Sequence, residues 1–528
     1  MVAINLIVKF SGEYEEFISQ LVDTGVFGSE DLGSGYAVLD IEREYIDRLY
    51  SYPVVEDIEL PRDTYINDFR AAEYNCPSAP EFRSRQFGGQ GVLVGIIDTG
   101  VDYTNPEFRH PDGSTRIKYF WDQTAEGTPP GGFLSGAEYT SEMIDNALVS
   151  SDPLSVIPKT DTSGHGTAVA GIAAGNNIGR AFESELIAVR VGRQSSEQAT
   201  TIQLMRGLYY IIKKAFMLKM PVSINISYGM NEGSHRGDSL FEKYITDVGR
   251  IWKTCITVPT GNEGSAGHHY EGQLVSGESL DIGFFTAPAI RSFYLSIWKD
   301  FTDPVTYELI LPDGKSTGIL GRINNNIRVT ADGMSISAFY GQPSRRSVFQ
   351  EVFYDIRPDS LNIPAGLWTL RVKAENIVNG HFDIWLPTTE QVTLRTFFTD
   401  PSDNLTMTIP STAPYVIKVA GFDKRTNSAA LFSGLGTEYP INIYPDIAAS
   451  AINVSAPTLS GGIGSFTGTS FASPLAAGIA AQLMQWGIVC GNSPFMYGEK
   501  LRAQLHFLAS RIDGRLYPDT SIGYGILY

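Results

Sequence analysis

Short apolar runs alternate with amphipathic ones along the first 68 residues. AINLIVKF, GYAVLDIE and VVEDIELP read as strands, and EYEEFISQLVDTG and REYIDRLYSY as helices. Two strand–helix pairs with an extra strand predict a small open-faced α+β unit over residues 1–68. The stretch that follows, PRDTYINDFRAAEYNCPSAP, is polar and broken and reads as a linker. From about residue 90 the pattern changes to continuous apolar strands separated by helices. GVLVGIID, LIAVRV, PVSINISYG and CITVPTGN are the strands; HGTAVAGIAAG and TTIQLMRGLYYIIKKAFML are the helices. This alternation predicts an α/β fold, a doubly wound parallel sheet covered on both faces. Between about 270 and 407 the runs become short and alternating, as in RSFYLSIWKD, VTYELILPDG, SISAFYG and LWTLRVKAE, with Gly, Pro, Asn and Asp between them. That is an antiparallel β unit. PYVIKVAGF then restores the earlier style, so the β unit is an insertion. The predicted divisions are 1–68, 69–270, 271–410 and 411–528.

Composition sets bounds on function. At 528 residues, 43% apolar and 19% charged, the chain is globular, with apolar mass for roughly three units. A formal net charge of −18 repels phosphate backbones and anionic membranes, which argues against nucleic acid as a partner. Three scattered cysteines, Cys76, Cys255 and Cys490, make neither a disulfide framework nor a zinc site. They read as reduced, buried thiols with an intracellular history. MVAINLIVKFSGEYEE lacks the layout of a secretion signal, which points to cytoplasmic synthesis. FASPLAAGIAAQLMQWGIVC, residues 471–490, carries Pro474, Gln482 and Gln485 and suits a buried helix, so no membrane span is expected.

Three stretches carry candidate chemistry. VGIIDTGVD ends an apolar strand at Asp98, and open parallel sheets bind ligands at the carboxyl ends of strands. Alone, Asp98 is equally a turn-former. DTSGHGTAVAG puts His165 at the start of a helix of small residues that lets another backbone approach; alone, His165 is equally a satisfied core histidine. GTSFASP makes a tight entry into a helix, with Ser470 among unpaired backbone N–H groups at the positive end of the helix dipole. Alone, Ser470 is an N-cap, and Ser473 caps or packs.

The order Asp98, His165, Ser470 changes the weighing. IIDTGVD, SGHGTAVAGI and GTSFASPLAAG resemble, in sequence order, the three signature blocks of the subtilisin-like serine proteases. The resemblance covers roughly residues 90–270 and 415–528. It implies that Ser470 is the nucleophile, His165 the base that accepts its proton and returns it to the leaving amine, and Asp98 the group that fixes the imidazole tautomer. It further implies that Asn262 of TVPTGNEG, with the Ser470 backbone N–H, forms the oxyanion hole. Ser227, Tyr228 and Gly229 of INISYGM resemble the family's extended substrate-binding strand, which pairs with peptide backbone. Glu107 lies where many members have a calcium-binding carboxylate, yet the loop GNNIGRAFESEL is shorter than the calcium-binding version. No metal and no cofactor are therefore expected. The segment between Asp98 and His165 is longer than in compact members.

The layout as a whole resembles the Csp germination proteases of clostridia, with a short N-terminal prodomain, no evident secretion signal, and a jelly-roll inserted before the serine block. This implies that residues 1–68 template the slow-folding parallel sheet and then run a C-terminal strand into the active site. Ser470 is expected to cut there, between Tyr65 and Arg70, with Tyr65, Ile66, Asn67 and Asp68 as the autoprocessing region. The cleaved prodomain is expected to stay bound, and the insertion to clamp the structure. The implied substrate is a protein zymogen such as a spore-cortex-lytic enzyme, with the protease packaged in the spore. Several readings stay open beside it: a broad degradative protease, a silent pseudoprotease in germinant signalling, and an N-terminal unit that is never cut. Glycan binding by the β insertion rests on fold analogy alone.

Overall fold

The computed structural model describes residues 3–21, 24–66, 87–158, 160–193, 198–359, 362–438, 441–459 and 461–528. The expected site residues Asn67 and Asp68, and Cys76, lie outside them.

The main domain is built on one large mixed sheet. Eight of its strands are parallel, in the spatial order Ile526–Leu527, Ile447–Ser450, Ile417–Asp423, Thr254–Pro259, Val222–Ile226, Leu93–Asp98, Glu185–Arg190 and Ile117–Asp122. Two additions are antiparallel, the edge strand Ala137–Thr140 and the short hairpin strand Ser428–Ala429. The runs LVGIID, VSINI and TCITVP are buried at every position, as strands covered on both faces must be. Helices His165–Ala174, Thr469–Met484 and Gly498–Leu508 share one apolar core on one face. Thr201–Leu218 and Leu240–Gly249 share another on the opposite face. The two small-residue helices approach backbone to backbone. A Cβ on Gly478 would stand 2.6 Å from the Ala173 carbonyl oxygen.

The N-terminal unit is a four-stranded antiparallel sheet, in the order Val26–Asp31, Tyr36–Glu42, Ala3–Phe10 and Val55–Glu59, with helix Tyr14–Gln20 packed on it. The strand Val26–Asp31 is an addition to the expected set. It is an edge strand of mixed polarity with a central glycine, so no alternation marks it. The unit docks on the Thr201–Leu218 and Leu240–Gly249 helices. Tyr36 donates to Asp247 at 2.9 Å, Tyr244 donates to the Leu32 carbonyl at 2.9 Å, and Glu30 accepts from Arg206 at 2.8 Å.

The insert is a pair of antiparallel sheets. One runs His269–Gln273, His381–Trp385, Phe293–Asp300, Phe349–Pro358, Met334–Tyr340 and Asn326–Ala331. The other runs Ser316–Leu320, Val305–Ile310, Gly366–Ala374, Ser279–Thr286 and Phe397–Phe398. Both line one apolar core. From the insert, Arg346 reaches Asp57 at 2.8 Å and Glu59 at 3.0 Å in the N-terminal unit.

Two expectations are corrected. Asp63–Ile66, inside the stretch read as linker, is a strand; it gains order from partners far away in sequence, not from its own pattern. Cys490 is exposed while Cys255 is buried, because Cys490 ends the π-helical turn that follows the Ser470 helix. No helix among the described residues is long and apolar enough to cross a membrane.

Candidate active site

Asp98 is the last residue of its strand, and His165 the first of its helix. The Asp98 Oδ1 to His165 Nδ1 distance is 2.6 Å, with both side chains buried. Burial pushes the Asp98 carboxyl above its ordinary range, against the pull of the His165 ring and the Thr99 N–H. The close approach needs a glycine after His165. A Cβ on Gly166 would lie 2.0 Å from the Gly100 carbonyl oxygen and 3.1 Å from the Asp98 Cβ.

A residue not singled out from the sequence, Asp161, locks this geometry. Its Oδ1 accepts from the Ser163 and Gly164 backbone N–H groups at 3.0 and 2.9 Å and from the Thr99 hydroxyl at 3.1 Å. Its Oδ2 accepts from the Thr167 N–H at 2.9 Å and hydroxyl at 2.6 Å. Thr99 Oγ1 in turn accepts the Gly166 N–H at 2.9 Å. The strand end bearing Asp98 and the helix start bearing His165 are thus tied through one buried carboxylate. The visible signal was an Asp four residues before His165, at a turn into a helix.

Gly468, at φ 150°, caps the helix Thr469–Met484, and Ser470 sits in its first turn. The adjacent Phe471 ring packs 5.2 Å from the His165 ring. Ser470 Oγ is buried and has no hydrogen-bond partner among the described residues. Asn262 is oriented by its oxygen, which accepts from the Thr469 N–H at 3.1 Å and hydroxyl at 3.0 Å. Its Nδ2 is left without a partner among the described residues. Pro474 has no N–H for the Ser470 carbonyl one turn back. The Ser227 hydroxyl donates to that carbonyl instead, at 3.2 Å, and itself accepts from Asn225 Nδ2 at 2.8 Å. Ser473 packs as expected, donating to Asn225 Oδ1 at 2.6 Å.

Tyr228 and Gly229 form a two-residue strand. It pairs antiparallel with Asp63–Ile66, Tyr228 opposite Ile66 and Gly229 opposite Tyr65. The other edge of Asp63–Ile66 pairs with Ala199–Thr200. The N-terminal unit therefore lays its last described strand into a slot between two strands of the main domain. Thr64 and Ile66 point into the protein and Asp63 faces out. The direction from Tyr65 to Ile66 runs along Gly229 to Tyr228, towards Ser227 and the Ser470 carbonyl.

Glu107 uses both carboxylate oxygens on Asn177, at 2.6 and 2.8 Å. No three His, Cys, Asp or Glu side chains gather as a metal-holding group among the described residues.

A model of the subtilase family matches residues 89–333 and 390–525. The chain belongs to the subtilase family. Residues 2–62 of this subtilase match a model of the Csp protease B prodomain. The solved CspB protease of Clostridium perfringens is 35% identical, covers 84% of this chain and is itself covered over 92%, with a TM-score of 0.77. An epidermin leader peptide processing serine protease of Staphylococcus aureus shares the fold, at 13% identity and a TM-score of 0.52 over 100% of this chain and 97% of that one. Among curated relatives, subtilisin-like protease 9 of Arthroderma benhamiae is 23% identical over 42% of this chain and 48% of that protein. A PII-type proteinase of Lacticaseibacillus paracasei is 26% identical over 43% of this chain and 12% of that protein. The chain thus spans less than half the length of these curated relatives.

Proposed function

We propose that this subtilase is a serine endopeptidase that cuts its own N-terminal unit and then acts on a protein zymogen. The observation that carries the reading is the strand Asp63–Ile66, seated like a bound peptide beside Tyr228–Gly229 and directed at Ser470. In the proposed reaction His165 takes the Ser470 proton as Oγ attacks the scissile carbonyl. The oxyanion is held by Asn262 Nδ2 and the Ser470 N–H at the helix N-terminus. His165 then protonates the leaving amine, and Asp98, held by Asp161 through Thr99, steadies the imidazolium. Water resolves the acyl-enzyme by the same steps in reverse.

The register supports a cut just beyond Ile66, before Asn67 and Asp68. In this reading the two-sheet insert is a jelly-roll, and its Arg346 holds the cleaved prodomain in place. The CspB likeness supports a spore-germination target, such as a cortex-lytic zymogen, and packaging in the spore.

The test is intact mass and N-terminal sequencing of the purified protein beside Ser470→Ala. Two fragments from the wild type, cut just past Ile66, and one from the variant support the reading. Two fragments from both the wild type and the variant assign the cut to another protease. A whole wild-type chain that also resists labelling by a fluorophosphonate marks a pseudoprotease.

A further inference from the structure

Glu263, the residue after Asn262, is buried to 2% exposure and faces the insert. Its Oε1 accepts the backbone N–H of Thr389 at 3.0 Å. Its Oε2 faces His268 Nδ1 at 2.5 Å and accepts from Asn231 Nδ2 at 3.3 Å. His268 Nε2 faces the Thr396 carbonyl at 2.8 Å, so the ring bridges Glu263 to a backbone carbonyl of the insert. Asn231 Nδ2 also reaches the Leu386 carbonyl at 3.1 Å, and the Leu386 N–H donates to the His268 carbonyl at 2.9 Å. Leu386, Thr389 and Thr396 are all insert residues, and they converge on Glu263 and its two partners. Burial works against the carboxylate, but His268 and these donors hold it below the ordinary range.

The other side of Asn262 is pinned differently. The Gly261 carbonyl accepts from Gly434, and the Thr260 N–H donates to Val419, both within the main domain. The main domain therefore holds the oxyanion loop on both sides of Asn262, at Gly261 and at Gly264, whose N–H donates to the Phe432 carbonyl at 2.9 Å, while Glu263 between them is held by the insert. A preorganised donor loses its value when it shifts by about 1 Å. A buried carboxylate deprived of its partners also moves or drags its loop to find others.

We propose that Glu263 is a positioning residue: through it and His268 the β insert holds Asn262 in place, so the insert is part of the oxyanion hole's support. The proposal rests on the reading of Asn262 as the oxyanion donor. It assigns the insert a role in the chemical step, beyond covering the prodomain.

Autocleavage during cell-free synthesis of the full chain tests this as a first-order rate with no substrate-binding step. Two variants loosen the link from opposite ends. Glu263→Gln removes the charge. Thr389→Pro removes the N–H that Glu263 accepts together with the Thr389 hydroxyl beside it, at the first position of helix Thr389–Val392, where proline is tolerated and where Thr388 at ψ 161° suits a following proline. Each is expected to slow autocleavage about tenfold in the wild-type background and less than twofold in an Asn262→Ala background. Equal slowing in both backgrounds means that Glu263 does not act through Asn262 and overturns the proposal. So does unchanged cleavage by both variants. If Asn262→Ala alone leaves the rate unchanged, the oxyanion reading itself fails, and that outcome is separate from the other two.

Discussion

Gly166 has no room for a side chain, and the reason is the close approach of Asp98 and His165. Its neighbours are the Gly100 carbonyl and the Asp98 Cβ, so any Cβ pushes the His165 helix away from the strand that carries its partner. Gly166→Ala is expected to cost about 1–3 kcal/mol of stability through overpacking. It is expected to slow autocleavage at least about 100-fold, because the Asp98–His165 contact opens. Thermal melting and the fraction of cut chain measure the two effects separately. Asp161 belongs to the same scale. Its five hydrogen bonds leave it no contact with substrate, and it acts only by holding Asp98 and His165 in register.

Among the elements, the helix Leu240–Gly249 shows how a local motif serves a docking surface. Ser239 and Glu242 close a capping box at its start, and the Leu240 N–H there donates to Glu59 of the N-terminal unit at 2.8 Å. Glu242 is fully buried, and burial pushes its carboxyl up to about 7, opposed by Thr412 and Ser239. A carboxyl raised in the folded state stabilises the fold below its unfolded pKa and loses that contribution as pH rises through about 7. Glu242→Gln mimics the protonated form. Its melting temperature relative to wild type is therefore expected to be higher at pH 8 than at pH 5, and an unchanging gap would falsify the linkage.

The elements also differ in how far the sequence alone reveals them. The buried strands and small-residue helices are legible because their apolar runs are continuous, and the three motif blocks sit on them. Asp98, His165 and Ser470 are legible as a set through their order. Asp63–Ile66 is not legible in its own pattern, because DTYI alternates weakly and becomes a strand only between Ala199–Thr200 and Tyr228–Gly229; only the family resemblance pointed to a strand there. Asp161 and Glu263 escape for a related reason. Each is one polar residue in a turn, and its importance comes from partners brought near by the fold.

For the whole molecule, the three parts hold one another at a charged seam. Arg346 of the insert faces Asp57 and Glu59 of the N-terminal unit, and Arg62 of that unit pairs with Glu232 of the main domain at 3.4 Å. Arg346→Ala leaves two largely buried carboxylates without their cation, which is expensive. Autocleavage is expected to continue, while the cleaved unit separates at least about tenfold faster. Native mass spectrometry after dilution measures the bound fraction over time.

The strand Asp63–Ile66 is hydrogen-bonded along both edges, so it leaves only by breaking two ladders together. On the proposed reading a soluble peptide then meets an occupied slot, and the turnover clock starts when the strand departs. Progress curves on such a peptide should open with a lag whose length does not change with peptide concentration. The length of that lag reports how long the strand stays in its slot, and it carries no information about the speed of bond cleavage.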